Sequence, residues 1–224
     1  MKTDYQHQFL DQSPCAWPVG KAVCVGLNYA AHAAEMDSQQ TAEPLLFMKP
    51  AAALVPLAGS IEIPADLGEC HFEAEVAILV GQRLSRCDEE EALAAIGGVG
   101  LALDLTLRDL QTELRSTGQP WEKSKSWDAS CPLSAFLKLE KIGDLHNQNI
   151  RLYQNGEVRQ DGNTRQMLTQ VLPLLVYISQ YFTLEPGDVV LTGTPEGVGP
   201  MAPGDALRME LDDLLLIETQ VVAR

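Results

Sequence analysis

Three acidic residues and a lysine are the side chains of this sequence best placed to do chemistry. Glu73 and Glu75 stand two apart in His71-Phe-Glu-Ala-Glu-Val, and side chains two apart on a strand point to one face, which His71 shares. Asp104 lies in an apolar run, with Leu101, Leu103 and Leu105 around it. Buried carboxylates are costly unless a cation or a proton neutralises them. Three together suit a hard divalent ion, Mg2+ or Mn2+, with positions left open for water and substrate. Taken alone, Glu-x-Glu on a strand is also the ordinary pattern of a solvated face, so the metal reading needs support from elsewhere in the chain.

Lys125 lies in Trp121-Glu-Lys-Ser-Lys-Ser-Trp-Asp. Lys123 and Lys125 have strand spacing, so one face could aim an ammonium into a site and stabilise a developing enolate. A solvated loop lysine is the plainer alternative. His32 and Glu35 are three apart on a short helix and share its face, the arrangement by which a carboxylate orients an imidazole to activate water. An ordinary surface helix has the same spacing. His7 and His146 sit in polar stretches and carry no signal. Cys131 has no legible base beside it and reads as a small packing residue. Thr192-Gly-Thr-Pro-Glu-Gly-Val-Gly lacks the Lys-Ser/Thr of a phosphate-binding loop, but its main-chain N–H groups could hold a carboxylate at the end of a buried strand.

The elements that must position these groups are mostly short strands separated by turn signals. Strands are predicted at Lys21 to Gly26, Leu45 to Lys49, His71 to Val80 and Gly97 to Leu105, with Ile61-Glu-Ile-Pro as an edge strand because Pro64 cannot donate to a ladder. Helices are predicted from Asn28 (as N-cap) to Met36, over Asp88 to Ile96 with an acidic first turn, and from Arg108 to Ser116. Asn155-Gly156 marks a type I′ hairpin within Ile150 to Val158. Thr164 to Phe182 reads as an apolar helix kinked or split at Pro173. Pro186-Gly-Asp leads into the strand from Val189, and Pro203-Gly-Asp into closing strands at Ala206 to Glu210 and Leu214 to Val222. Hairpins alternating with a few helices indicate an α+β fold rather than a regular βαβ repeat.

Composition narrows the partners. The chain has 224 residues, 46% apolar and 21% charged, with 16 basic against 31 acidic residues and a net charge of −15. Such an acidic surface argues against nucleic acid and anionic membrane as partners. No apolar run approaches the roughly 18 residues of a membrane helix. A polar N-terminus without an apolar core predicts a cytoplasmic protein, and five irregularly spaced cysteines predict reduced thiols.

In this order along the chain, the motifs resemble the fumarylacetoacetate hydrolase superfamily, in its short branch of acylpyruvate hydrolases and oxaloacetate decarboxylases or tautomerases. The carrying segments are Val25-Gly-Leu-Asn-Tyr-Ala-Ala-His-Ala-Ala-Glu-Met, Glu43-Pro-Leu-Leu-Phe-Met-Lys-Pro, His71-Phe-Glu-Ala-Glu-Val, Leu103-Asp-Leu-Thr-Leu-Arg-Asp-Leu-Gln, Gly118-Gln-Pro-Trp-Glu-Lys-Ser-Lys-Ser and Leu191-Thr-Gly-Thr-Pro-Glu-Gly-Val-Gly-Pro. The resemblance implies a mixed β-roll or sandwich with flanking helices, a single catalytic domain over 20–224 behind an extension of 1–19, and a homodimer. It implies Glu73, Glu75 and Asp104 as ligands of Mg2+ or Mn2+, and His32 with Glu35 as a water-activating dyad on a mobile lid. It further implies Lys125 as the enolate-stabilising lysine, and Arg108, Gln111 and the backbone at Gly193 and Thr194 as the holders of a keto acid's carboxylate and carbonyl. Phe72 stands where close relatives often carry a second histidine. The leading expectation is metal-dependent hydrolysis of a C–C bond in an acylpyruvate-type 1,3-dicarbonyl acid through a metal-bound enolate. The alternative is tautomerisation or decarboxylation of oxaloacetate in the same site.

Overall fold

The computed structural model describes residues 5–36 and 43–224, so the first four residues of the expected N-terminal extension lie outside the described residues. Mixed sheets with few helices build the domain. From edge to edge, the largest sheet runs Leu45–Lys49, Ala22–Gly26, Val189–Leu191, Ala74–Val80, Ile96–Leu103, Cys131–Leu133 and Leu54–Pro56. A five-stranded sheet runs Glu157–Asn163, Asn149–Gln154, Ala206–Leu211, Leu215–Ala223 and Gly59–Ile63, which places the proline-terminated strand at an edge as predicted. A small sheet joins Gly199–Met201, Cys70–Phe72 and Thr106–Leu107. The predicted hairpin turns at Asn155 and Gly156, both at positive φ.

The central strand Ala74–Val80 is buried on both faces. Ala74, Val76, Ile78 and Val80 enter the main core, while Ala77 and Leu79 face a second cluster closed by Phe9 and Trp17 from the N-terminal segment. Trp17 lies against Gly97, where a Cβ would come within 2.5 Å of the indole. Five short helices flank the sheets among the described residues: α1 (Ala30–Glu35), α2 (Glu89–Ala94), α3 (Arg108–Ser116), α4 (Glu122–Lys125) and α5 (Val171–Tyr181). In α2, Asp88 caps the helix and Glu91 returns the bond, a reciprocal box that accounts for the acidic first turn. No helix among the described residues is long and apolar enough to cross a membrane.

Four local readings change. The stretch 71–80 is not one strand: the chain leaves the small sheet at Phe72 and enters the large one at Ala74, with Glu73 between. Pro173 does not kink its helix, because α5 begins at Val171 and the proline falls in the first turn, where no backbone N–H has an intrahelical acceptor. Asn28 does not cap α1. Its amide instead donates to the Thr169 and Thr192 carbonyls at 2.9 and 2.8 Å. All five cysteines are free thiols, as expected; burial pushes Cys131 up to about 12, consistent with packing rather than nucleophilic use.

The fourth change concerns His7, which is buried with Nε2 2.9 Å from the Gly187 carbonyl and Nδ1 3.3 Å from the Tyr5 hydroxyl. A neutral ring donating from Nε2 and accepting at Nδ1 satisfies both contacts. Burial lowers its pKa, outweighing the opposing pull of the Gly187 carbonyl and Asp188. His7 therefore contributes stability above its unfolded pKa of about 6.5, and loses it as pH falls through the lower folded-state value. The melting temperature should drop between about pH 7 and pH 5, and His7→Gln should flatten that drop. An unchanged pH slope in the variant would remove His7 as its source.

Candidate active site

The pairing of two antiparallel strands sets up the site. Ala74 pairs with Leu103 in the large sheet, and Cys70 and His71 pair with Leu107 and Thr106 in the small one. Glu73 and Asp104 therefore face each other where both strands change sheets, and the Asp104 N–H donates to the Glu73 carbonyl at 2.9 Å. A strand in mid-ladder turns alternate side chains to opposite faces. Glu73 and Glu75, two apart, therefore share a face, and Asp104, across from Glu73, shares it with them, one carboxylate oxygen from each lying within 4.8 Å of the others. All three are buried.

Three cations brace this acidic cluster. Lys125 Nζ donates to Glu73 Oε2 at 2.8 Å and to Asp104 Oδ2 at 2.6 Å. Arg108 donates to Glu73 Oε1 at 2.5 Å and to Gln111 Oε1 at 2.6 Å. Lys49 Nζ lies 2.8 Å from Asp104 Oδ1, an ion pair without hydrogen-bond alignment. Burial opposes the charge on Lys125, but Asp104 and Glu73 more than compensate and hold its pKa above the ordinary lysine value. Burial likewise opposes ionised Glu73, but Lys125 and Arg108 outweigh it and bring that carboxyl well below its usual range. Glu75 goes the other way. Burial raises it, and repulsion from Asp104 and Glu73 adds to the rise, against one N–H bond from Gly193. A cluster in which like charges push one carboxylate toward protonation gains from another cation. Its all-oxygen donor set fits Mg2+ or Mn2+.

The dyad closes the pocket from the other side. His32 Nδ1 lies 3.1 Å from Glu35 Oε2, and Glu35 Oε1 accepts from the Gly197 N–H at 3.1 Å. The carboxylate thus fixes one ring nitrogen and anchors α1 to the glycine-rich loop. His32 lines the same pocket as Glu73, Glu75, Asp104, Lys125 and Thr194. The loop itself is held close: Gly193 has φ 93°, and a Cβ there would come within 2.7 Å of Asn28 Cβ.

Every residue expected in the site lines this pocket or touches it, with adjustments. Lys125 is buried and sits on the helical turn α4, not on a strand shared with Lys123. The Gly193 N–H, expected to meet substrate, donates instead to Glu75 Oε2 at 2.6 Å. Thr194 Oγ1 accepts from Gln160 Nε2 at 2.8 Å. His71 pairs with Glu69 at 3.3 Å and with Arg108 instead of joining the carboxylates. Sequence reasoning missed two buried supports. Lys49 ends the apolar run Leu-Leu-Phe-Met-Lys-Pro, and a charge closing such a run was the available signal. Gln160 joins the Ala74 N–H to Thr194 and Pro195 across three elements, and nothing local in the hairpin announces it.

The family model described as "Fumarylacetoacetate (FAA) hydrolase C-terminal" matches residues 21–222. Oxaloacetate tautomerase YcgM of Escherichia coli (strain K12) is 49% identical over 209 residues, covering 93% of this chain and 95% of that one. The human protein named oxaloacetate tautomerase FAHD1, mitochondrial, is 42% identical over 206 residues, covering 92% and 93%. Among solved structures, fumarylpyruvate hydrolase from Pseudomonas aeruginosa in complex with Mn2+ and pyruvate superposes with a TM-score of 0.91 at 35% identity, covering 97% of this chain and 95% of that one.

Proposed function

This chain belongs to the fumarylacetoacetate hydrolase family and is an enzyme of that family, and from that premise we propose that it interconverts the enol and keto forms of oxaloacetate. The observation that carries the reading is the intact pocket on a chain 49% and 42% identical to two proteins named oxaloacetate tautomerase. Hydrolysis of acylpyruvates, which the sequence reading puts first, takes second place. Both reactions draw on the same acids, bases and cations, so residue types alone do not rank them.

Glu73, Glu75 and Asp104 are the residues that would hold Mg2+ or Mn2+. When bound, such an ion supplies Lewis-acid polarisation of a carbonyl oxygen. The chain's own groups do the rest. Arg108 and Gln111, already joined at 2.6 Å, present guanidinium and amide donors for the keto acid's carboxylate. Lys125 stays an ammonium between Glu73 and Asp104 and faces negative charge developing on the C2 oxygen. His32, its Nδ1 fixed by Glu35, carries a proton on its other ring nitrogen to or from C3. Phe47 lies 5.2 Å beneath the Lys125 ammonium and helps to exclude water.

The test follows enol absorbance and pyruvate release in parallel, with oxaloacetate, after loading with Mg2+ or Mn2+. Enol–keto exchange should exceed the buffer rate by about 10²-fold or more, with pyruvate at background. Pyruvate released as fast as enol disappears would convert the reading to a decarboxylase. Cleavage of acetylpyruvate to acetate and pyruvate without oxaloacetate exchange would restore the hydrolase.

A further inference from the structure

The pocket contains a cation that the proposed chemistry has not used. We propose that Arg115 binds the second carboxylate of the substrate and makes the site selective for short dicarboxylic keto acids over monocarboxylic ones. This assignment rests on the oxaloacetate reading and specifies which part of that molecule α3 recognises.

Residues seven apart on an α-helix differ by only about 20° around its axis. Arg108, Gln111 and Arg115 thus form one row along α3, and all three line the pocket. Their depth changes along the row. Gln111 is buried and Arg108 partly buried, while Arg115 is exposed, so the row runs from the acidic cluster toward the mouth. Arg115 stands one turn farther along α3 than Gln111, about 6 Å along the axis at 1.5 Å per residue.

That offset matches the ligand. In a four-carbon keto diacid the carboxyl carbons are three C–C bonds apart, about 4 Å when extended. With the α-keto acid end held by Arg108 and Gln111, the far carboxylate reaches the level of the next turn. Phe47, Trp121 and Leu27, which also line the pocket, offer it no charge. A guanidinium meets a carboxylate with paired N–H donors, and an exposed rim position lets it do so without a large desolvation cost. A monocarboxylic acid such as pyruvate has no group for Arg115 to meet.

Binding to the metal-loaded protein tests this with two probes. One is 3,3-difluorooxaloacetate, which keeps both carboxylates but has no C3 proton to exchange; the other is pyruvate. Calorimetry on wild type, Arg115→Met and Arg115→Lys reads both. Arg115→Met should weaken the dicarboxylate about tenfold to a hundredfold, as expected for a hydrogen bond between charged groups, and Arg115→Lys should recover part of it. Pyruvate binding should stay within about twofold across the three proteins. Equal loss of both probes, no loss of either, or no binding of the dicarboxylate by wild type overturns the assignment. Failure of wild type to exchange enol and keto oxaloacetate while Arg115→Met still weakens the dicarboxylate and leaves pyruvate unchanged would instead sink the tautomerase reading and leave the carboxylate site standing.

Discussion

Lys49→Met is expected to destabilise the metal-free protein by about 3–5 kcal/mol, the range found when one partner of a buried ion pair is removed. Lys49 is fully buried. Its ammonium faces Asp104 Oδ1 at 2.8 Å and donates to the Ser130 carbonyl at 3.0 Å and the Ser130 hydroxyl at 3.1 Å, and also to the Lys125 carbonyl. Methionine fills similar space but donates nothing. It would leave a buried carboxylate short of one counter-charge, and two carbonyls short of a donor. Urea unfolding measures the loss. The double variant Lys49→Met/Asp104→Asn should be more stable than the two single losses added together, because it also removes the orphaned charge. A single-variant loss below about 1 kcal/mol would reduce the pair to the value of an exposed one.

Lys125→Met is expected to lower kcat for enol–keto exchange by about 10²–10³-fold, the usual cost of removing one donor aimed at developing charge. The same variant should bind Mg2+ or Mn2+ at least as tightly as wild type. The Lys125 ammonium neutralises Glu73 Oε2 and Asp104 Oδ2, oxygens of two of the three carboxylates offered to a cation. Removing it deepens the negative potential that a divalent ion meets. Metal titration beside steady-state kinetics separates the two effects. Weaker metal binding together with lost activity would mean that Lys125 organises the carboxylates, and would remove it from the chemistry.

Much of the local structure could be read along the chain because neighbours in sequence determine it. Asp88 and Glu91 close a reciprocal cap, Asn155-Gly156 turns a hairpin, and Arg108–Ser116 forms the helix its pattern predicts. The residue types of the site were legible for a similar reason. Glu73, Glu75, Asp104, Lys125, His32 and Glu35 stand out as polar groups in or beside apolar or small-residue stretches, and the order of their motifs points to the family.

Other features depended on partners far away in the chain. Apolar residues hold every even position from Phe72 to Val80, so nothing local announces that the strand changes sheets at Glu73; the pairing of Thr106 and Leu107 with His71 and Cys70 does that. Spacing alone put Lys125 on a strand, whereas the turn Glu122–Lys125 carries it under Glu73 and Asp104. His7 and Gly187 are 180 residues apart, and no window of sequence joins them.

The sequence by itself thus determined which acids, bases and cations this protein carries, and the short-range turns and caps that space them. Only the tertiary structure decided that three carboxylates share one point, that Lys49 braces them from behind, and that the Gly193 N–H serves Glu75. The physical reason is that a buried charge is set by whatever surrounds it in space. Here those surroundings come from strands and loops up to 118 residues apart, as the bond from Gly193 to Glu75 shows.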